Sequence, residues 1–350
     1  MILEQGYVHG GDVYSQPVRL DFSANVNPFG APEPVKAAVR EAAERLSAYP
    51  DPYCGHLREK LAALNGAARE EIICGNGAAE LIYTFTAALK PRNALLPVPS
   101  FADYESALTA AGCRPVFHPL RRENGFLPTN DILSAIGADT DLLMLCSPNT
   151  PTGRSVPREL LLSLLDRCRR TGTWLFLDEC FLELVDEDKA FSLAPCLQAG
   201  DRVFLLRAFT KAYGMAGLRL GYGLCRNRPL LEARSRLGQP WNVSTPAQAA
   251  GRAALDRPDW PAQARALFRR EKPFLSAGLA ALGFVPLPGD ANFLFFSGTP
   301  GLYAALRARG VLIRDCENYR GLRPGDYRIA VRTRPENEEL LRIMEEALRV

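Results

Sequence analysis

No Cys-x-x-Cys pair occurs among the nine cysteines, and no apolar run reaches the ~18 residues that a membrane-crossing helix needs. The first absence argues against a zinc ribbon or a thioredoxin-like redox motif. The second argues against a membrane-spanning helix. The cysteines are odd in number and most sit in apolar runs such as Leu143-Met-Leu-Cys146, which reads as reduced, buried thiols of a cytoplasmic protein. Only three histidines are present, His9, His56 and His118, too far apart in sequence to suggest a metal cluster. No basic block is long enough to point to nucleic acid or an anionic membrane surface. The opening MILEQGYVHGGD lacks the charged and apolar regions of a secretion signal. Internal repeats and low-complexity tracts are also missing.

What is there suits a globular protein with a large core. A chain of 350 residues exceeds the roughly 250–300 at which single cores divide. Apolar residues make up 47% and charged residues 23%, ordinary values, with a net charge of +3. The mild arginine excess suits a small anionic substrate better than a polyanion.

Residues 1–35, rich in Gly, Asn and Pro, read as an extended arm, with a helix from about Pro34 to Arg45. From about 56 to 225, apolar runs at Ile72–Cys74, Ala94–Val98, Leu142–Cys146, Trp174–Leu177, Val203–Leu206 and Arg219–Leu224 alternate with helical patterns near 78–89, 101–111 and 157–170. Such alternation predicts an α/β domain with a largely parallel sheet. A helical stretch at 259–282, apolar runs near 284–287, 292–296, 311–314 and 327–331, and a closing helix over 335–349 predict a smaller α+β domain. The expected division is an arm over 1–35, a large domain over 36–240 and a small one over 241–350.

Four strand ends carry chemistry. Lys211 follows an apolar strand in Arg-Ala-Phe-Thr-Lys-Ala-Tyr-Gly, with Thr210 before it and Arg219 eight residues on. A lysine that forms a Schiff base needs a lowered pKa, which burial and nearby cations supply. Thr210 and Arg219 are the donors that an anionic phosphate beside it would need. Gly75-Asn-Gly-Ala-Ala-Glu80 opens a helix, where backbone N–H groups and the helix dipole favour an anion. Asp178 ends the strand Trp174–Leu177, at the edge where parallel sheets bind ligands, with a cap of the next element as the lesser alternative. Cys146-Ser-Pro-Asn-Thr-Pro-Thr-Gly153 forms a turn in which Asn149 could donate to a ligand oxygen, and Phe101 could stack on a ligand ring or simply pack in the core. Arg328 and Arg332 alternate along one strand, where either reads as a surface charge. Arg314 has Asp315 and Glu317 as available partners.

Taken in order and spacing, GNGAAE, SPNTPTG, LDE, FTKAYGMAGLRLGY and YRIAVRT resemble the fold-type I pyridoxal 5′-phosphate (PLP) enzymes of the aspartate aminotransferase superfamily, over nearly the whole chain. Two neighbouring families compete. His9-Gly-Gly11, Leu20-Asp-Phe-Ser-Ala-Asn-Val-Asn-Pro28, Gln239-Pro-Trp-Asn-Val243 and Ile313 through Leu322 look like the threonine-phosphate decarboxylases of cobalamin biosynthesis, as does Phe181 where the relatives usually carry tyrosine. The MAGLRLGY segment looks as much like the histidinol-phosphate aminotransferases. The resemblance implies that Lys211 binds PLP, Asp178 pairs the pyridinium nitrogen, Asn149 the phenolic oxygen, and Phe101 stacks on the ring. The amides of Ala78 and Ala79, with Thr210 and Arg219, hold the cofactor phosphate. Tyr49 reaches into a neighbouring subunit's site, which implies a homodimer. Arg328 binds the substrate carboxylate, while His9, Asn25 and Arg314 gather round the phosphate of a small phosphorylated amino acid. The implied reaction is decarboxylation of L-threonine O-3-phosphate to (R)-1-amino-2-propanol O-2-phosphate, with histidinol-phosphate transamination as the alternative. Ala208 departs from the pattern, since relatives usually carry Ser or Thr there, so one phosphate donor is missing.

Overall fold

The alternating segments between residues 56 and 225 assemble into a seven-stranded sheet in the computed structural model, which describes residues 9–15 and 17–349. The expectations for residues 1–8, an extended arm without a secretion signal, lie outside the described residues. In chain order the strands are β1 (Leu20–Asp21), β2 (Ile72–Asn76), β3 (Asn93–Val98), β4 (Arg114–Pro119), β5 (Leu142–Cys146), β6 (Trp174–Asp178), β7 (Val203–Ala208) and β8 (Leu220–Leu224). Toward the C-terminus follow β9 (Val285–Leu287), β10 (Phe293–Ser297), β11 (Val311–Leu312), β12 (Arg314–Asp315) and β13 (Asp326–Ala330).

The large sheet has the order β2-β8-β7-β6-β5-β3-β4. β8 runs antiparallel to β2 and β7, and the remaining neighbours pair in parallel. Helices cover both faces, so β5 and β6 are buried along their whole length, which is why they read as unbroken apolar runs without alternation. Phe85 of the helix Gly77–Leu89 packs on Phe176 and Phe204, with ring centroids 5.0 Å apart in each pair.

Two elements escape the apolar pattern for physical reasons. β4 carries two prolines and exposes alternate residues, as an edge strand tolerates. The helix Thr245–Leu255 is alanine-rich, so it has no period of large side chains. It is capped by the Ser244 hydroxyl, which accepts from the Ala247 amide at 3.3 Å, and packs closely on the helix Glu33–Ala43.

The second sheet has the order β12-β13-β10-β9, all antiparallel, with the helices Asp259–Ala281 and Arg334–Leu348 packed against each other beside it. The arm ties the second sheet to the lysine loop of the large sheet. β1 pairs with β11, the Phe22 amide donates to the Leu312 carbonyl at 2.7 Å, and the Phe22 carbonyl accepts from Ala330 at 2.8 Å. Farther along, the Asn27 amide donates to the Lys211 carbonyl at 3.0 Å and its side chain to the Ala212 carbonyl at 2.8 Å. The segment that looks least structured in sequence is thus stitched to β11, to the second sheet and to the lysine loop that follows β7 of the large sheet.

All nine cysteines are free thiols. Among the described residues no helix is long and apolar enough to cross a membrane, and no cluster of His, Cys, Asp and Glu could hold a metal ion.

Candidate active site

Parallel strands end along one edge of the sheet, and the side chains there face a shared crevice. β7 ends at Ala208 and turns at once into the short helix Phe209–Ala212, which carries Thr210 and Lys211. Beside it β6 ends on Asp178. A cavity of about 550 Å³ opens between them and the second sheet. Burial, with the guanidiniums of Arg328 and Arg219 close by, brings the Lys211 amine down to about 8. Its Nζ stands 5.6 Å from the centre of the Phe181 ring, which offers no hydroxyl.

Burial raises the Asp178 pKa, while hydrogen bonds from the thiol and amide of Cys180 and from Tyr104 work against that rise. The Tyr104 hydroxyl donates to Oδ2 at 2.6 Å and the Cys180 amide to Oδ1 at 2.8 Å. Tyr104 is itself pushed well above the usual phenol range by burial and by the Asp178 carboxylate, so it stays a donor. Its ring is wedged edge-on against Phe176 and Phe101, which fixes the hydroxyl. The adjacent Glu179 is turned away from the cavity. Its carboxylate accepts from Arg207 Nη2 at 2.8 Å, the Ser192 hydroxyl at 2.8 Å and the Leu193 amide at 3.1 Å. One acid of the Asp-Glu pair therefore faces the cavity, and the other pins the strand from behind.

The cavity's other end is a cradle for an anion. Gly77 takes a left-handed φ of 81° and packs under the Arg219 guanidinium, where a Cβ would collide with it. The helix Gly77–Leu89 then starts with Ala78 and Ala79, whose amides belong to its first turn and have no partners within the helix. Thr210 and Arg219 complete the cradle, and Ala208 lines the cavity without adding a hydroxyl.

The arm and the second sheet supply the remaining wall. His9 Nε2 lies 3.5 Å from Asp103 Oδ1, and its ring lies 5.8 Å from that of Phe101. Gly10 packs so tightly on the Ser23 carbonyl that a Cβ would not fit, which accounts for a glycine directly after His9. Asn25 is buried with neither side-chain oxygen nor nitrogen partnered. Arg314 and Arg328 face each other across β12 and β13. Arg314 donates to Asn318 Oδ1 at 2.8 Å and also to the Asp315 carbonyl, not to the Asp315 or Glu317 carboxylates. Arg328 Nη2 donates to the Ser23 carbonyl at 2.9 Å, and its Nε is buried without a partner. Arg332 turns instead to Glu336, 2.8 Å from its Nε.

Eleven of the thirteen expected site residues line this one cavity: His9, Asn25, Ala78, Ala79, Phe101, Asp178, Thr210, Lys211, Arg219, Arg314 and Arg328. Asn149 and Tyr49 are not brought there. The Asn149 side-chain nitrogen donates to the Pro99 carbonyl at 3.0 Å and to Thr152 Oγ1 at 3.1 Å, so both of its hydrogens are taken. Tyr49 is 78% exposed and stacks on Trp241, ring centroids 4.4 Å apart, outside the cavity. Tyr104, Asp103 and Thr150 are cavity residues that sequence reasoning missed. Tyr104 lies one helical turn beyond Phe101, a spacing that could have flagged it.

PLP fits what is present. Its phosphate would meet the left-handed turn at a helix start, its ring nitrogen a buried carboxylate already held by hydrogen bonds, and its aldehyde carbon a buried amine of lowered pKa. The orphaned polar atoms of Asn25, Thr150 and Arg328 are groups that a bound ligand would satisfy.

Known proteins are similar to this chain in sequence and fold. The model of the family described as aminotransferase class I and II matches residues 18–344. The threonine-phosphate decarboxylase of Salmonella typhimurium strain LT2 is 35% identical over 353 residues, spanning 97% of this chain and 96% of that protein. The structure of L-threonine-O-3-phosphate decarboxylase from Porphyromonas gingivalis matches with a TM-score of 0.84 and 27% identity over 95% of this chain and 100% of that one. The histidinol-phosphate aminotransferase from Clostridium acetobutylicum matches with a TM-score of 0.86 and 26% identity, again over 95% and 100%. With the lysine, the carboxylate and the anion cradle assembled in one cavity and the family match running almost end to end, the chain belongs to the aminotransferase class I and II family of PLP-dependent enzymes.

Proposed function

We propose that this enzyme decarboxylates L-threonine O-3-phosphate to (R)-1-amino-2-propanol O-2-phosphate. The observation that carries the reading is the pair of buried guanidiniums, Arg314 and Arg328, set opposite each other in the cavity that holds Lys211. O-phosphothreonine presents two anionic groups, a carboxylate and a phosphate, and each guanidinium can take one by a charge-assisted fork. Histidinol phosphate has a phosphate but no carboxylate: its phosphate ester stands where the carboxylate would be, so the second buried guanidinium would face an imidazole in place of an anion.

Bound PLP supplies an electron-poor ring that takes up the electron pair left at Cα when the bond to the carboxylate breaks. The protein decides which bond at Cα breaks, by turning the substrate. Arg328 holds the carboxylate, and Arg314, His9 and Asn25 hold the phosphate, so binding energy far from the reacting bond sets its orientation. Lys211, neutral for a substantial fraction of the time near pH 8, would hold the cofactor, and its Nζ would carry the proton that replaces carbon dioxide at Cα. The PLP-loaded protein given O-phosphothreonine is expected to release carbon dioxide in equal amount to substrate consumed. Consumption of glutamate with histidinol phosphate as product, and no carbon dioxide from O-phosphothreonine, would overturn the assignment.

We further propose that the enzyme is a cytoplasmic homodimer, with 36–240 and 241–350 as its large and small domains. Tyr49 and Trp241 form an exposed aromatic stack outside their own cavity, suited to a partner subunit's surface. Light scattering is expected to give twice the mass of the chain, and replacing Tyr49 with Ala to weaken PLP binding without unfolding the protein. A monomeric, fully PLP-loaded enzyme would contradict this.

A further inference from the structure

Arginines packed against the large sheet are answered by carboxylates, Arg207 by Glu179 at 2.8 Å and Arg234 by Glu80 at 3.3 Å. Arg314 is 3% exposed, yet the groups that hold it are neutral. Its Nη2 donates to Asn318 Oδ1 at 2.8 Å and its Nη1 to the Asp315 carbonyl, and its guanidinium carbon lies 4.9 Å from the centre of the Tyr319 ring. The acid next to it in sequence is taken up by its own turn, where Asp315 Oδ1 accepts from the Glu317 amide at 3.0 Å.

The turn after β12 is therefore built round the guanidinium. The Tyr319 amide donates to the Cys316 carbonyl at 3.0 Å, and the Tyr319 ring is buried among Leu120, Phe126 and Phe295, which fixes its face while leaving it on the cavity wall. A carbonyl, an amide oxygen and an aromatic face each orient the fork, and none cancels its charge. A buried cation without a counter-ion, directly across the strand pair from the like charge of Arg328, is costly until an anion enters. We infer that Asn318 and Tyr319 are positioning residues for the substrate phosphate, aiming the Arg314 guanidinium into the cavity while leaving its charge for the ligand. This rests on the reading of Arg314 as a phosphate ligand made under the proposed function.

The discriminating change is Asn318→Asp, which keeps the shape and the acceptor but adds a negative charge to the holder. A merely structural contact would be kept or strengthened by that ion pair, whereas a phosphate site would lose its attraction. The test titrates PLP-loaded protein with inorganic phosphate by calorimetry and records the melting temperature without phosphate. Arg314→Met is expected to abolish binding. Asn318→Asp should weaken it at least about tenfold with no fall in melting temperature. Tyr319→Leu should weaken it about fivefold, and Tyr319→Phe, which keeps the face, should bind like the unaltered protein. Phosphate affinity unchanged by Asn318→Asp or by Arg314→Met, equal losses in Tyr319→Phe and Tyr319→Leu, or no saturable binding by the unaltered protein would overturn the inference. A protein that shows the expected pattern but releases no carbon dioxide from O-phosphothreonine would lose the decarboxylase reading and keep the phosphate holder.

Discussion

Replacing Lys211 with alanine is expected to remove the visible absorbance of the bound cofactor and to lower turnover of O-phosphothreonine by at least about 10⁴-fold, since one group supplies both the covalent link and the proton carrier. The loss should not come from unfolding. Burial is the first cause of the lowered Lys211 pKa, which means the protein holds that amine at a cost. The cofactor-free variant should therefore melt no lower than the unaltered protein. Residual activity within tenfold of normal would remove Lys211 from the centre of the mechanism. A variant that is inactive and also melts far lower would show that the lysine is chiefly structural.

Arg328→Met is the second large effect. The substitution keeps length and apolar bulk while deleting the fork that reaches toward the substrate and the Ser23 carbonyl. Losing one partner of a buried charge pair lowers kcat/KM for O-phosphothreonine by about 10²–10³-fold, chiefly through KM. It should also act on Lys211. The Arg328 charge is, after burial, the largest cause that holds the lysine amine down near 8. Without it the amine keeps its proton to higher pH, so less of it is neutral at pH 8. PLP loading, which needs the neutral amine, should slow at that pH and recover as pH rises. Arg328→Lys, which keeps the charge but not the fork, should restore the loading profile and only part of the KM. An unchanged KM in Arg328→Met would mean that another group holds the carboxylate.

The residues proposed to hold the cofactor were legible where they sit at a strand end beside a local signature. Gly77 and Ala78 follow β2, Asp178 closes β6, and Lys211 follows β7, so a reading of short apolar runs and what comes directly after them finds all three. The substrate wall was harder. His9 lies next to Gly10, which the Ser23 carbonyl requires, and Asn25 lies in an arm with no periodic pattern. Arg314 and Arg328 are fourteen positions apart and meet only through the pairing of β12 with β13. By strand pattern alone Arg328 and Arg332 were interchangeable, and only the resemblance favoured Arg328; packing separates them, sending Arg328 into the cavity and Arg332 to Glu336.

The loop after β5 shows the same division most sharply. Composition and turn chemistry mark Ser147 through Gly153 as a functional turn, and asparagine is the more obvious donor within it. Which of two adjacent side chains lines the cavity depends on backbone direction and on the Pro99 carbonyl fifty positions away, and no local pattern records either. The amino-acid order by itself determined the strand–helix alternation, the buried lysine and its carboxylate, because those depend on neighbours in the chain. The tertiary structure alone decided that Thr150 faces the cavity, that Tyr104 holds Asp178, and that two arginines stand together, because those depend on contacts between segments that only folding brings within reach.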